Sequence, residues 1–215
     1  NVPFDFRKNV YPQPPSVRLQ KSGVSLDKFP PKPIPKEPNF LMLSRLLINK
    51  GVTEYLEASA IVKEKYPNAH FKLAGFHEVN HPSAISHELL NYHINKNHIE
   101  FLGHIKNVKD QLQLCRFYVL PSYREGTPRS VLEAMATKRP IITTDVPGCR
   151  ETVINGFNGF LVPPKNSRDL ALAMIKLIEQ SDQETIQMGS NSYELVERFY
   201  EVNKVNKSII KIIKS

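Results

Sequence analysis

"FYVLPSYREGTPRSVLEAMATKRPIITTD", residues 117 to 145, decides the fold. It opens with a short apolar run, "FYVLPS" (117 to 122), which reads as a buried strand. A polar loop and a helix follow, and "PIITTD" (140 to 145) supplies a second apolar run. Two buried strands joined through a helix lie parallel, because a two-residue turn cannot bring the chain back to the same end of the sheet.

The same alternation extends in both directions. Upstream, "FLMLS" (40 to 44), "FKLAG" (71 to 75) and "IEFLG" (99 to 103) read as strands. Between them "VTEYLEASAIVKEKY" (52 to 66), "SAISHELLNYHINK" (83 to 96) and "VKDQLQLC" (108 to 115) read as helices. Downstream come a last strand, "GFLVP", and two or three helices. The pattern predicts a doubly wound, Rossmann-like α/β parallel sheet of about six strands with helices on both faces. Nine of the 17 prolines fall in residues 1 to 38, where "YPQPP" and "FPPKPIPKEP" forbid helix. Residues 1–38 therefore read as a proline-rich linker or the remnant of a preceding domain, 39–180 as the α/β domain and 181–215 as terminal helices that pack toward that preceding domain.

Composition bounds the function. The chain has 215 residues, 40% hydrophobic and 23% charged, which suits one globular domain with a real core. Lys and Arg number 29 against 21 acidic residues, for a net charge of +8, so an anionic partner is expected. No aromatic-basic interleaving or helix-turn-helix pattern points to nucleic acid. Cys115 and Cys149 form no CxxC pair and read as thiols of a reducing compartment. No stretch approaches the ~20 apolar residues of a membrane span. No signal peptide is readable, and the abrupt start is not expected to be a natural N-terminus.

In a doubly wound sheet, ligands bind where strands end and loops lead into helices. Thr127 reads as an N-cap and Pro128 as the first helical residue, leaving the N–H groups of Arg129, Ser130 and Val131 free for an anion such as phosphate. Glu133 is itself negative, so its part would be to accept hydrogen bonds from a vicinal diol such as that of ribose. Glu125, on the loop, suits the hydroxyls of a sugar beyond the phosphate. The plainer alternative is a capped helix with a solvated Glu133 and a loop Glu125, and spacing alone leaves both open. "SRLLINKG" (44 to 51) adds Arg45 and Lys50 after the first strand, a planar fork and a point charge suited to a diphosphate.

In their order and spacing these motifs resemble the family-4 glycosyltransferases, retaining enzymes of the GT-B fold. "SGVSLDKF" (22 to 29) is similar to the segment entering that family's C-terminal domain, "SRLLINKG" to its basic loop and "IEFLGHI" to its base-pocket strand. "PSYREGTPRSVLEAMA" is similar to its Glu-x7-Glu motif, and "TTDVPGCRETVINGFNGFLVPP" (143 to 164) to the stretch after that motif. The resemblance implies that Arg45 and Lys50 bind the donor diphosphate and Glu133 the ribose. Glu125 would hold the donor sugar, while the segment Gly126, Thr127, Pro128, Arg129, Ser130 and Val131, through the N–H groups of its non-proline residues, would flank sugar and phosphate. The base would sit at Leu102, Gly103, His104 and Ile105. It further implies no cofactor and no metal, a nucleotide-sugar donor expected to be a UDP-sugar, and a glycan acceptor, lipid-linked in bacterial surface-glycan assembly. The location implied is cytoplasmic, at the inner face of the membrane. One departure is Lys138, where the family usually has glycine.

GT-B enzymes hold their acceptor with a second, N-terminal α/β domain, for which this chain has no room. The chain thus resembles the donor-binding half. Val205, Ile209, Ile210, Ile212 and Ile213 of the last helix are expected to be partly uncovered for that missing domain, a membrane surface being the other role open to a basic amphipathic helix. Two further functions remain: a GT-B nucleotide-sugar epimerase, whose acid-base set is not readable here, and a non-catalytic nucleotide- or anion-binding module. "HEVNH" (77 to 81) matches the HExxH zinc pattern, but it follows a strand end and precedes Pro82, which reads as a polar loop. His87, His93, His98 and His104 show no ligand spacing.

Overall fold

The computed structural model describes residues 22–213. Six strands form one parallel sheet in the order β3-β2-β1-β4-β5-β6. They are β1 (Asn39–Leu43), β2 (His70–Ala74), β3 (Glu100–Phe101), β4 (Phe117–Leu120), β5 (Ile141–Thr144) and β6 (Gly159–Val162). The helices are α1 (Val52–Lys65), α2 (His87–Asn95), α3 (Val108–Leu114), α4 (Arg129–Ala136), α5 (Ser167–Ile178), α6 (Asp182–Phe199) and α7 (Val202–Ile213). Helix α1 packs with α2 and α5, and α4 with α3 and α6, so each face of the sheet carries its own helix layer. Strands β4 and β5 are buried along their whole length, as parallel strands between two helix layers must be.

Phenylalanines fix the register in the middle of the sheet. Phe40 on β1 pairs with Phe71 on β2 and with Phe117 on β4. Its ring lies 4.9 Å from each, stacked on Phe71 and tilted against Phe117. A one-residue slip would send these rings to the opposite face, so the row also aligns the carboxyl ends of β1 and β4.

Three boundaries differ from the sequence reading. Helix α2 begins at His87 rather than residue 83, because Ile85 is needed in the core and Ser86 caps the helix by accepting from Leu89 N–H. Helix α4 begins at Arg129, with Pro128 rather than Thr127 as its N-cap residue. The third concerns the proline-rich segment, whose residues 1–21 lie outside the described residues. Its remaining part, 22–38, is packed and is not a free linker. Prolines leave carbonyls without ladder partners, and buried side chains capture them. Gln113 Nε2 donates to the Pro30 carbonyl at 2.9 Å, and Arg116 Nη1 donates to that of Pro35 at 2.7 Å. Val24 forms a parallel bridge to Glu201, with Val24 N–H donating to the Tyr200 carbonyl at 2.9 Å.

Terminal helix α6 belongs to this domain, packing on α4 with Met188, Leu195 and Val196 buried. In α7, Val205 is buried and Ile209 half-buried, while Ile210 and Ile213 are exposed. The side chain of Ile212 lies outside the described residues.

The C-terminal turn of α4 explains the unusual lysine. Lys138 adopts φ 63°, and the Arg139 N–H returns to the Ala134 carbonyl at 3.0 Å, a bond that only a left-handed residue at 138 allows. Its ammonium lies 5.5 Å from the Tyr193 ring, a partial compensation. Replacing Lys138 with glycine relieves a left-handed cost of about 1 kcal/mol, less the lost ring contact. The variant is expected to unfold at higher urea with an unchanged m-value; a lower midpoint contradicts this account.

Candidate functional site

Strand order reverses between β1 and β4, and a cleft of roughly 250 Å³ opens at their carboxyl ends. Its walls include Arg45, Lys50, Glu125, Pro128, Arg129 and Ser130, with Leu43 and Leu120 from the strand ends. The structure therefore brings both basic residues, the loop glutamate and the start of α4 into one place.

Each loop is held by backbone geometry that its sequence permits. After β1 the chain makes a single 3-10 turn, Ile48–Lys50, and Gly51 at φ 74° begins α1. A Cβ at Gly51 would stand 2.1 Å from the Pro121 carbonyl oxygen, so the two loops meet there through backbone. Tyr123 N–H donates to the Asn49 carbonyl at 3.0 Å, and the Tyr123 hydroxyl donates to Glu54 Oε1 at 2.5 Å. Burial and that bond raise the tyrosine's pKa, keeping it a donor at neutral pH.

The charges pair across the cleft. Lys50 Nζ lies 2.6 Å from Glu125 Oε1, with side chains only 22% and 15% exposed. Arg45 is more open, 53% exposed and 3.5 Å from Glu78 Oε1. An ion pair so exposed contributes ~0–1 kcal/mol, leaving the guanidinium available to a stronger anion.

At α4, the Pro128 carbonyl accepts from the N–H groups of both Val131, at 3.1 Å, and Leu132. Val131 is therefore not a free anion donor, contrary to the sequence expectation. Thr127 does not cap, because buried Pro128 stays extended, with ψ 110°, and the helix starts after it. Among the described residues, no hydrogen-bond partner meets the N–H of Arg129 or Ser130, which leaves the first-turn donors at the cleft wall.

Glu133 sits one turn further, its side chain 16% exposed and 4.0 Å from Arg129 Nη2. Burial raises its carboxyl pKa, and Arg129 opposes the shift. It is a partly desolvated carboxylate with a single distant cation for company.

Leu102, Gly103, His104 and Ile105 do not line this cleft. They follow β3 on the same edge of the sheet, where the Gly103 carbonyl accepts Gly75 N–H at 2.8 Å. Leu102 and Ile105 pack against the core and His104 is exposed. "HEVNH" is a loop: His77 Nε2 contacts the Ile85 carbonyl at 2.9 Å and His81 Nδ1 accepts from Ser83 N–H. His93 and His98 meet through their Nδ1 atoms at 3.1 Å. Among the described residues no three His, Cys, Asp or Glu side chains cluster to hold a metal.

Sequence reasoning missed Gly148. At φ 87°, a Cβ there would stand 1.9 Å from the Gly126 carbonyl oxygen and 2.3 Å from that of Glu125. The Pro147-Gly148 pair was a turn signal, but nothing local reveals which loop it touches.

The model of the family described as glycosyl transferases group 1 matches residues 25–195. The chain belongs to this family. The match begins inside the proline-rich segment and runs through most of α6, so both are parts of the family's unit. The chain is 39% identical over 146 residues to N,N'-diacetylbacillosaminyl-diphospho-undecaprenol alpha-1,3-N-acetylgalactosaminyltransferase of Campylobacter jejuni, covering 68% of this chain and 37% of that protein. It spans 30% to 54% of the length of the curated relatives that lead the comparison. The C-terminal domain of the group 1 family protein LpcC from Francisella tularensis superimposes with TM-score 0.71 and 25% identity, covering 84% of this chain and all of that one. HepE of Anabaena, in complex with UDP and glucose, matches with TM-score 0.75 and 22% identity over 90% of this chain and 55% of its own.

The raised pKa of Glu133 makes a stability prediction for this group 1 domain. A folded-state carboxyl pKa above its unfolded value means that the native state binds the proton more readily, so stability falls as pH rises through that window and stays lower above it. Glu133→Gln is therefore expected to unfold at the same or higher urea than the parent at pH 7, with the gain lost at pH 4. A lower midpoint at pH 7 would mean that Glu133 supports the fold.

Proposed function

We propose that this chain is the donor-binding half of a retaining glycosyltransferase that adds a hexose or N-acetylhexosamine from a UDP-sugar to a glycan. One observation carries the reading: two cations, a helix start with free amides and Glu125 line a single cleft at the switch point, with Glu133 one turn along the same helix. In this reading Arg45, Lys50 and the amides of Arg129 and Ser130 hold the diphosphate, and Glu133 accepts from the ribose hydroxyls. Glu125 contacts the sugar, with its carboxylate oriented by Lys50.

As the glycosidic bond breaks, the departing UDP gains negative charge. Preorganised protein cations and amides lower the barrier by stabilising that charge, with no need for a metal. Glu125 is assigned no covalent role, being engaged by Lys50 at 2.6 Å. The base is assigned to the edge formed by Leu102, Gly103, His104 and Ile105. The UDP in HepE supports the choice of nucleotide. The diphospho-undecaprenol in the name of the Campylobacter relative supports a lipid-linked acceptor. Such an acceptor places the reaction at the inner face of the cell membrane, with acceptor contacts from a second domain.

Calorimetric titration of the 215-residue chain tests the assignment. UDP is expected to bind more tightly than GDP or ADP, and equally well with chelator present. Glu133→Ala is expected to weaken UDP and UDP-sugar alike by about 1.5 to 3 kcal/mol, through lost charge-assisted bonds to ribose. Glu125→Ala is expected to leave UDP affinity nearly unchanged. Loss of UDP affinity in Glu125→Ala alone would reverse the orientation of the nucleotide, and equal binding of all nucleotides would remove the donor assignment.

A further inference from the structure

The turn that carries Glu125 is tied to the β1 loop through Tyr123 and Lys50, and it also meets the loop between β5 and β6. Gly148 of that loop touches the carbonyls of Glu125 and Gly126 so closely that no side chain fits between them. What fixes Gly148 is a carboxylate: its N–H donates to Glu151 Oε2. Glu151 is anchored in turn, because its backbone carbonyl accepts the Tyr200 hydroxyl at 2.6 Å. Tyr200 is 2% exposed, and its own carbonyl receives Val24 N–H at 2.9 Å.

The neighbouring bonds make this loop a stiff block. The Thr152 hydroxyl donates to the Cys149 carbonyl at 2.7 Å, and Arg150 pairs with Asp145 at 2.8 Å. Cys149 and Arg150 N–H groups both return to the Val146 carbonyl. A block held internally and pressed on a carbonyl pair transmits its position to that pair, because packed backbone yields little.

From this we infer that Glu151 is a positioning residue for Glu125, acting through the Gly148 amide, with Tyr200 as its anchor. The carboxylate orients the Gly148 peptide; that peptide sets where the Glu125 and Gly126 carbonyls lie. The glutamate side chain consequently points into the cleft toward Lys50. Its value for sugar binding rests on the donor reading above, whereas the mechanical link does not.

The test is nuclear magnetic resonance on the 215-residue chain and its Glu151→Ala, Glu151→Gln and Tyr200→Phe variants. In the parent, Gly148 N–H is expected to be shifted downfield and slow to exchange, with backbone order parameters of about 0.85 at Gly126 and Thr127. Glu151→Ala is expected to speed Gly148 exchange at least tenfold and to drop both order parameters below ~0.6, leaving β4 and β5 unchanged. Glu151→Gln still offers an acceptor oxygen and is expected to restore both readings, and Tyr200→Phe is expected to loosen the same residues by a smaller factor. Titration then separates the two claims: Glu151→Ala is expected to keep UDP affinity within threefold and to lose the extra affinity of UDP-sugar. If the parent binds no nucleotide, the donor reading fails while the order parameters still decide the link. Unchanged order parameters in Glu151→Ala, equal loosening in Glu151→Gln, or loosening throughout the sheet overturns the inference.

Discussion

β1 and β4 lie side by side in the sheet, yet the chain leaving each turns to the opposite face. After β1 it passes into α1, which packs with α5, and after β4 into α4, which packs with α6. No helix can cover the gap between two loops that part in this way, so a cleft is the necessary result. The phenylalanine row at residues 71, 40 and 117 holds the two strands in register and thereby sets the opposing walls at a fixed distance. Gly51 against Pro121, and Tyr123 against Asn49, join the two loops through backbone contacts.

The contents of the cleft follow from electrostatics in a half-buried place. Lys50 and Glu125 neutralise one another at 2.6 Å, which tolerates their burial and leaves the pair pre-arranged. Glu133 lacks such a partner and carries a raised pKa from burial. Arg45 is the most open member, exposed and 3.5 Å from Glu78.

Much of this was legible in the sequence, for identifiable reasons. The strands were readable because parallel strands under two helix layers are continuous apolar runs, as "FLML" and "FYVL" are. Lys138 stands where the resemblance expects glycine, and its φ of 63° is the left-handed conformation that glycine would adopt most easily. Arg45, Lys50, Glu125, Arg129 and Ser130 were legible as one site because each follows a strand on the same edge. What was not legible depends on distant partners. Prolines exclude helix in residues 30–38 but cannot say that Gln113 and Arg116 will hold that segment down. The choice between Thr127 and Pro128 as cap depends on burial of the proline ring. The reach of Gly148 to Glu125 crosses between loops of two different strands.

The central claim is that the cleft between β1 and β4 holds a nucleoside diphosphate with its phosphates on the cations and the start of α4. A crystal structure of this chain soaked with UDP tests it most directly. The account predicts diphosphate oxygens within hydrogen-bond distance of Arg45, Lys50 and the Arg129 and Ser130 amides, with both ribose hydroxyls on Glu133. A nucleotide bound elsewhere, or one whose ribose meets Glu125 while its phosphates avoid Lys50, would contradict it.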